Sequence, residues 1–262
     1  MSQTQAIVVI AGAVLALALL AAMRYRYRRF NLPQLFLWLA ARLIVRVLWR
    51  AQQPRRWPVP PGQGVVVICN HRSSIDPFFI QTILDRPMRW MVAREYIARG
   101  LMGWFLRTCN VIPVGRGGVD TAATKAAIRF AAEGGCVGML PEGRINTTDD
   151  FMLPVRPGAI WVALRAGVPI LPCYIEGAPY RGTVTSPFFT RARVRVKFGE
   201  LLDLSAYREQ SDDAAIVAEL TLRAVRQIAI LAGQPEFQPK LAGRRWKPRE
   251  GDEVPGESES GV

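Results

Sequence analysis

"AIVVIAGAVLALALLAAM", residues 6–23, constrains this chain more than any other stretch, because eighteen residues pass without a charge. As a helix rising ~1.5 Å per residue they cover about 27 Å, close to the ~30 Å of bilayer hydrocarbon. No Lys or Arg precedes the run, and "RYRYRRF" follows it at once. A cleavable signal peptide has the opposite polarity. The pattern predicts a single-pass N-terminal anchor, with everything after Met23 on the cytoplasmic side and Tyr25 and Tyr27 in the interfacial belt. A buried or interfacial helix is the competing reading.

The next apolar stretch, "LPQLFLWLAARLIVRVLWR" (32–50), carries Arg42, Arg46 and Arg50 at every fourth position. Such an amphipathic helix either lies along a bilayer with its basic edge near lipid phosphates or packs on a domain. The net charge of +13 needs a cause, and nucleic acid and an anionic membrane are the two common ones. Much of the arginine flanks membrane-type segments and no basic-aromatic readout motif appears, so the membrane is favoured and no nucleic-acid partner is expected. Cys69, Cys109, Cys136 and Cys173 are scattered, without a C-x-x-C pair. That spacing argues against zinc and against a disulfide framework, and fits packed thiols in a reducing compartment.

Beyond a proline-rich linker or extended lead-in at 51–64, short β-like runs alternate with helical stretches. Strands are expected at 65–69, 89–93, 111–114, 136–140 and 170–175, all buried, and at 192–200 with one wet face. Helices are expected near 76–85, 95–107, 119–133, 156–166 and 212–232. Alternation of this kind predicts an α/β fold, a mixed β-sheet flanked by helices, preceded by the N-terminal transmembrane helix and the amphipathic helix. Four segments follow: the anchor with its basic flank (1–30), the amphipathic helix and linker (31–60), the α/β domain (61–234) and a tail without fixed structure (235–262).

The chain's single histidine, His71, lies just past the first strand in "VVVICNHRSSIDPFFI", and Asp76 starts the next helix. A carboxylate on one imidazole nitrogen fixes the tautomer and leaves the other free to take a proton from a hydroxyl. Ser73 and Ser74 lack a G-x-S-x-G elbow, which argues against a serine nucleophile. Taken alone, H-x-x-x-x-D is also what a structural imidazole would show. Three more stretches end on strands: "NVIPVGRGG" with Arg116, "GMLPEGRI" with Glu142, Gly143 and Arg144, and "GVPILPCYIEG". Strand ends of an α/β sheet gather where ligands bind. Their convergence would set a histidine–aspartate pair before two guanidiniums, which grip phosphate as a planar fork.

In order and approximate spacing, "NHRSSIDPF", "VIPVGRGG", "PEGR" and "VPILPCYI" resemble the four blocks of the glycerolipid acyltransferase family, whose best-known class, 1-acylglycerol-3-phosphate acyltransferase, makes phosphatidic acid. The similarity covers roughly residues 60–205, and its first and third blocks are its specific part. It implies His71 as general base, Asp76 as the acid that orients it, and Arg116, Glu142, Gly143 and Arg144 as the glycerol-phosphate acceptor site, where Glu142 either hydrogen-bonds a glycerol hydroxyl or braces an arginine. Arg94 in "MVAREY" is a further phosphate candidate, where the family often has lysine. The implied partners are a bilayer, a lysophosphatidic-acid-like acceptor and an acyl thioester donor, coenzyme A or carrier protein, with no metal or redox cofactor. The third block departs from the family's Glu-Gly-Thr-Arg: the threonine is missing, which displaces Arg144 by one position and leaves another lysolipid or glycerol phosphate open as acceptor. A non-catalytic membrane-anchored lipid-binding protein is the rival of another class.

Overall fold

The computed structural model describes residues 2–98, 100–115 and 120–243. Helix α1 (Gln3–Arg26) opens on a capping box between Ser2 and Gln5, and it is long and apolar enough to cross a membrane. Ile7, Val8, Val9, Ile10, Val14, Leu15, Leu17 and Leu20 along it are exposed. Helix α2 (Leu32–Val47) begins the same way, with Asn31 and Gln34 exchanging the two capping bonds. A small cluster of Phe30, Leu35 and Trp38, joined by Met23 and Tyr27, fastens the end of α1 to α2.

The α/β domain follows as β1 (Val65–Cys69), α3 (Asp76–Gln81), β2 (Met88–Ala93), α4 (Arg94–Ile97), α5 (Gly100–Thr108), β3 (Ile112–Val114), α6 (Thr121–Ala132), β4 (Cys136–Met139), α7 (Gly158–Ala166), β5 (Ile170–Glu176), β6 (Arg195–Phe198) and α8 (Ala214–Leu231). The sheet order is β3-β2-β4-β1-β5-β6, parallel throughout except for β6, which runs antiparallel to β5. The sheet is therefore mixed, as expected. Central β1 is buried along its whole length, so both faces must be apolar. Val66 and Ile68 point into the core under α6, α7 and α8. Val65, Val67 and Cys69 point into the other, with Trp49, Phe79 and Trp90. Gly138 is required where β4 passes β2: a Cβ there would come 2.5 Å from the indole of Trp90, its partner in register.

Three expectations need correction. The helix expected over 95–107 is divided into α4 and α5, and Gly100 at φ +29° starts the second piece. The lead-in at 51–64 is packed: Gln52 bonds to Val194, Val59 is buried, and Trp57 meets Phe198 edge-on. The tail does not lose structure at 235. Phe237 packs on Phe151 with ring centroids 5.0 Å apart. The Val155 amide donates to Lys240 O, and that of Ala242 to Val155 O. One large aromatic and two backbone bonds fix residues 235–243, which their polar composition conceals; residues 244–262 lie outside the described residues.

α2 packs on the domain, as one of its two readings expected, and leaves a second apolar face exposed. Leu35, Trp38, Ala41 and Val45 face the domain, and Trp38 Nε1 donates to the carbonyls of Gln81 and Leu84. Leu32, Phe36, Leu39, Leu43 and Val47 form an exposed apolar stripe on another face. Leu101 and Trp104 of α5 are exposed as well.

Candidate active site

The parallel strands all end on one edge of the sheet, and β1 and β4 are neighbours there. The chain leaves β1 through Asn70, whose amide exchanges two hydrogen bonds with the backbone of Ile175 on β5, at 2.9 and 2.8 Å. This side chain extends the ladder one step and delivers His71 to the strand end.

His71 Nδ1 lies 2.9 Å from Asp76 Oδ2, with the ring side chain 13% exposed and the carboxylate fully buried. Oδ2 also accepts the amides of Arg72 at 2.8 Å and Ser73 at 2.9 Å. Three donors converge on one buried oxygen, which fixes the 71–76 turn around an anion. Because a carboxylate oxygen accepts only, Nδ1 carries the proton and Nε2 keeps its lone pair. The serines are committed elsewhere. Ser73 Oγ donates to Pro179 O at 2.6 Å and Ser74 Oγ to Val184 O at 2.7 Å. Both tie down the loop after β5 and neither is set beside the imidazole as a nucleophile.

The turn after β4 carries Glu142, Gly143 and Arg144. Gly143 is exposed at φ +73°, and its amide closes the turn on Leu140 O at 3.0 Å. Arg144 is half-buried. Glu142 is only 1% exposed, and both of its carboxylate oxygens are engaged with main-chain amides. Its Oε1 accepts the His71 amide at 2.7 Å and its Oε2 the Leu153 amide at 2.8 Å. Asn146 completes the brace, its amide donating to His71 O at 2.7 Å. Glu142 thus joins the β4 turn to the main chain of the histidine. Burial pushes its carboxyl up to about 7, against the two amide bonds that favour the anion.

The sign of the pH effect follows. A carboxyl raised from about 4.5 to about 7 on folding contributes stability fully present below pH 4.5 and lost as pH rises through 7. Glu142→Gln keeps one acceptor but turns an NH₂ group on the second amide, an unmet buried donor costing about 1–3 kcal/mol. The destabilisation, measured by denaturant unfolding, is therefore expected to be larger at pH 5 than at pH 8; equal stability of both chains at pH 5 would contradict the brace.

Arg94 follows β2, two strands from β1 or about 10 Å at ~4.8 Å per strand. Its guanidinium pairs with Asp120 at 2.9 Å. Bonds from the Ala123 and Gly115 amides hold that carboxylate below its usual range. Arg94 is thus on the same edge but engaged with the cap of α6. Arg116 lies outside the described residues; the strand before it, β3, is the third from β1.

Sequence reasoning passed over Arg72, whose guanidinium donates to the carbonyls of Asn146 at 3.2 Å, Thr148 at 2.6 Å and Phe151 at 3.4 Å, and to Asp150 O. It clamps the loop after β4 to the histidine turn. No spacing rule marks such a residue, because its partners are backbone atoms some 75 positions away. Asn70 did carry a signal, an amide placed directly after an apolar strand.

The profile of the family described as Acyltransferase matches residues 52–176, the stretch that runs from the lead-in through β5. A 1-acyl-sn-glycerol-3-phosphate acyltransferase of Bacillus subtilis is 27% identical over 145 residues, 55% of this chain and 69% of its own. The beta form of Homo sapiens is 26% identical over 204 residues, covering 76% and 72%. The crystal structure of the 1-acyl-sn-glycerophosphate acyltransferase from Thermotoga maritima superposes with a TM-score of 0.53 at 19% identity, over 77% of this chain and 88% of the other, and so shares its fold. Residues 52–176 are thus an acyltransferase-family domain, and the chain is an acyltransferase similar to the 1-acyl-sn-glycerol-3-phosphate acyltransferases.

Proposed function

We propose that this acyltransferase moves a fatty acyl group from a thioester to the free hydroxyl of 1-acylglycerol-3-phosphate at the bilayer surface, giving phosphatidic acid. The observation that carries the reading is the His71–Asp76 pair on the strand edge beside the Glu142–Arg144 turn. His71 Nε2 takes the hydroxyl proton as the oxygen attacks the thioester carbonyl. Asp76 stabilises the imidazolium that forms. The C–S bond of the tetrahedral intermediate then breaks, and the leaving thiolate takes the proton back from the imidazolium. No covalent enzyme intermediate is needed, in keeping with the engagement of both serines.

Arg144, with Arg116 and Arg94 as further candidates, neutralises the acceptor phosphate and holds its hydroxyl near the base, which lowers the entropic part of the barrier. Glu142 acts on the acceptor only through the turn it braces. The donor is a thioester of coenzyme A or of a carrier protein, and it brings the activated carbon without a resident metal or redox group. α1 supports a membrane span, and the arginines behind it support a cytoplasmic catalytic domain. The exposed stripe of α2 and Trp104 would rest in the same leaflet.

The missing threonine of the third block supports a second reading, an acceptor other than 1-acylglycerol-3-phosphate. The purified chain assayed on a panel of lysolipids and glycerol phosphate, with both thioester donors, is expected to use 1-acylglycerol-3-phosphate best. Preference for an acceptor without a phosphate would overturn the assignment. Arg144→Ala is expected to raise the KM for the acceptor about tenfold or more, the loss of one charge-assisted phosphate contact, with donor KM unchanged. A change in donor KM alone would remove Arg144 from the acceptor site.

A further inference from the structure

After α2 the chain runs as an extended strip along residues 192–196. The Ala192 and Val194 amides donate to Leu48 O and Trp49 O, at 3.4 and 3.2 Å, and the Gln52 amide donates to Val194 O at 2.8 Å. Arg50 interrupts this strip with φ +41°, left-handed backbone that a non-glycine residue rarely adopts. There it joins Arg191 and Arg193 around a shallow concavity of about 380 Å³. All three arginines are exposed, and among the described residues no carboxylate pairs with any of them. Arg94, Arg165 and Arg195 do find acids, in Asp120, Asp212 and Glu176, whereas these three guanidiniums stand together without one among the described residues.

Large apolar side chains stand beside the trio. Phe189, two residues before Arg191, is 86% exposed, and Val47, three before Arg50, is 67% exposed and ends the stripe of α2. A guanidinium cluster bordered by exposed apolar groups fits the boundary of a leaflet, where phosphates overlie acyl chains. A folded protein partner would not require a lone phenylalanine and a helical stripe to stay in water. The location has a consequence for catalysis. Glu176 at the end of β5 is paired in register with Arg195 at the start of β6, so the trio lies on the same edge of the sheet as His71. The loop bearing Phe189 is the one fastened to Ser73 and Ser74.

The geometry points to a binding site for the phosphate of an anionic lipid headgroup, held by Arg50, Arg191 and Arg193 with Phe189 and Val47 in the acyl region beneath it. The site rests on the membrane-bound reading above and is separate from the acceptor site: β6 is two strands from β1 on one side, whereas Arg144 and Arg94 follow β4 and β2 on the other. A headgroup seated there holds the catalytic edge toward the lipid phase.

Native mass spectrometry of the detergent-purified full chain tests this, with phosphatidylglycerol, phosphatidylcholine of the same chains, inorganic phosphate and an acidic carrier protein as probes. The parent is expected to retain one phosphatidylglycerol about tenfold or more tighter than phosphatidylcholine. At about fivefold per arginine, R50Q/R191Q/R193Q should lose roughly 100-fold of that affinity. R191E/R193E, which leaves the strained Arg50 in place, should lose at least as much per residue. Unchanged retention of phosphatidylglycerol by both variants would overturn the site. So would inorganic phosphate bound as tightly as the lipid, which assigns it to a free anion, or the carrier protein bound in place of lipid. The KM for the acceptor in detergent is expected to stay within about twofold of the parent's, well below the tenfold that one lost phosphate contact would give. A rise matching the lipid loss would fold the trio into the acceptor site and refute the separate one. Lipid retention is read without turnover, so failure of the acyl-transfer reading would leave this result standing.

Discussion

His71→Ala is expected to lower kcat for acyl transfer by about 10²–10⁴-fold, the usual worth of a general base, with little change in either KM. The substitution is unusually clean. The main chain of residue 71 is held by its amide on Glu142 and its carbonyl under Asn146, and alanine keeps both bonds. Only the imidazole is removed, from a side chain that is already partly exposed. Transfer of a labelled acyl group in vesicles measures the effect, and an unfolding curve on the same sample confirms that the chain folds. Turnover within about tenfold of the parent would show that the proton leaves by another route.

Asp76→Asn is expected to cost kcat about as much, 10²–10⁴-fold, through charge alone. With its oxygen where Oδ2 stood, asparagine still accepts the amides of Arg72 and Ser73 and the ring N–H. The three bonds of the turn therefore survive while the anion opposite the developing imidazolium is lost; the NH₂ group replaces Oδ1, which is buried without a hydrogen-bond partner, so an unfolding curve on the variant checks the fold. Asp76→Ala would in addition strand two buried amides, at about 1–3 kcal/mol each, and confuse folding with catalysis. Because Asp76 acts through His71, the double variant His71→Ala with Asp76→Asn should be no slower than His71→Ala. Losses that multiply in the double variant would mean that Asp76 has a separate task.

Much of this arrangement is legible in the sequence. "VVVIC" declares a strand buried on both faces, and Pro77 and the acidic residue before it declare the helix that follows. Each later strand stands within one to three residues of where its apolar run places it, because β-branched runs bounded by turns have few other uses. The pair His71–Asp76 was readable because its partners are five positions apart. What stayed hidden depends on contacts distant in sequence. Glu142 looks like an acceptor ligand, and only the approach of the Leu153 and His71 amides reveals a brace. Arg72 reads as one more surface cation until four carbonyls from 146–151 surround it. α2 carries apolar residues on most of its surface, so no periodicity could say which face meets the domain and which stays free.

The chain has one histidine, so ¹⁵N NMR of histidine-labelled protein in detergent observes His71 without overlap. The account predicts that the neutral ring carries its proton on Nδ1, shared with Asp76, and presents a bare Nε2 to the acceptor hydroxyl. A neutral ring protonated on Nε2 would have no lone pair to offer there, and would contradict the account at its centre.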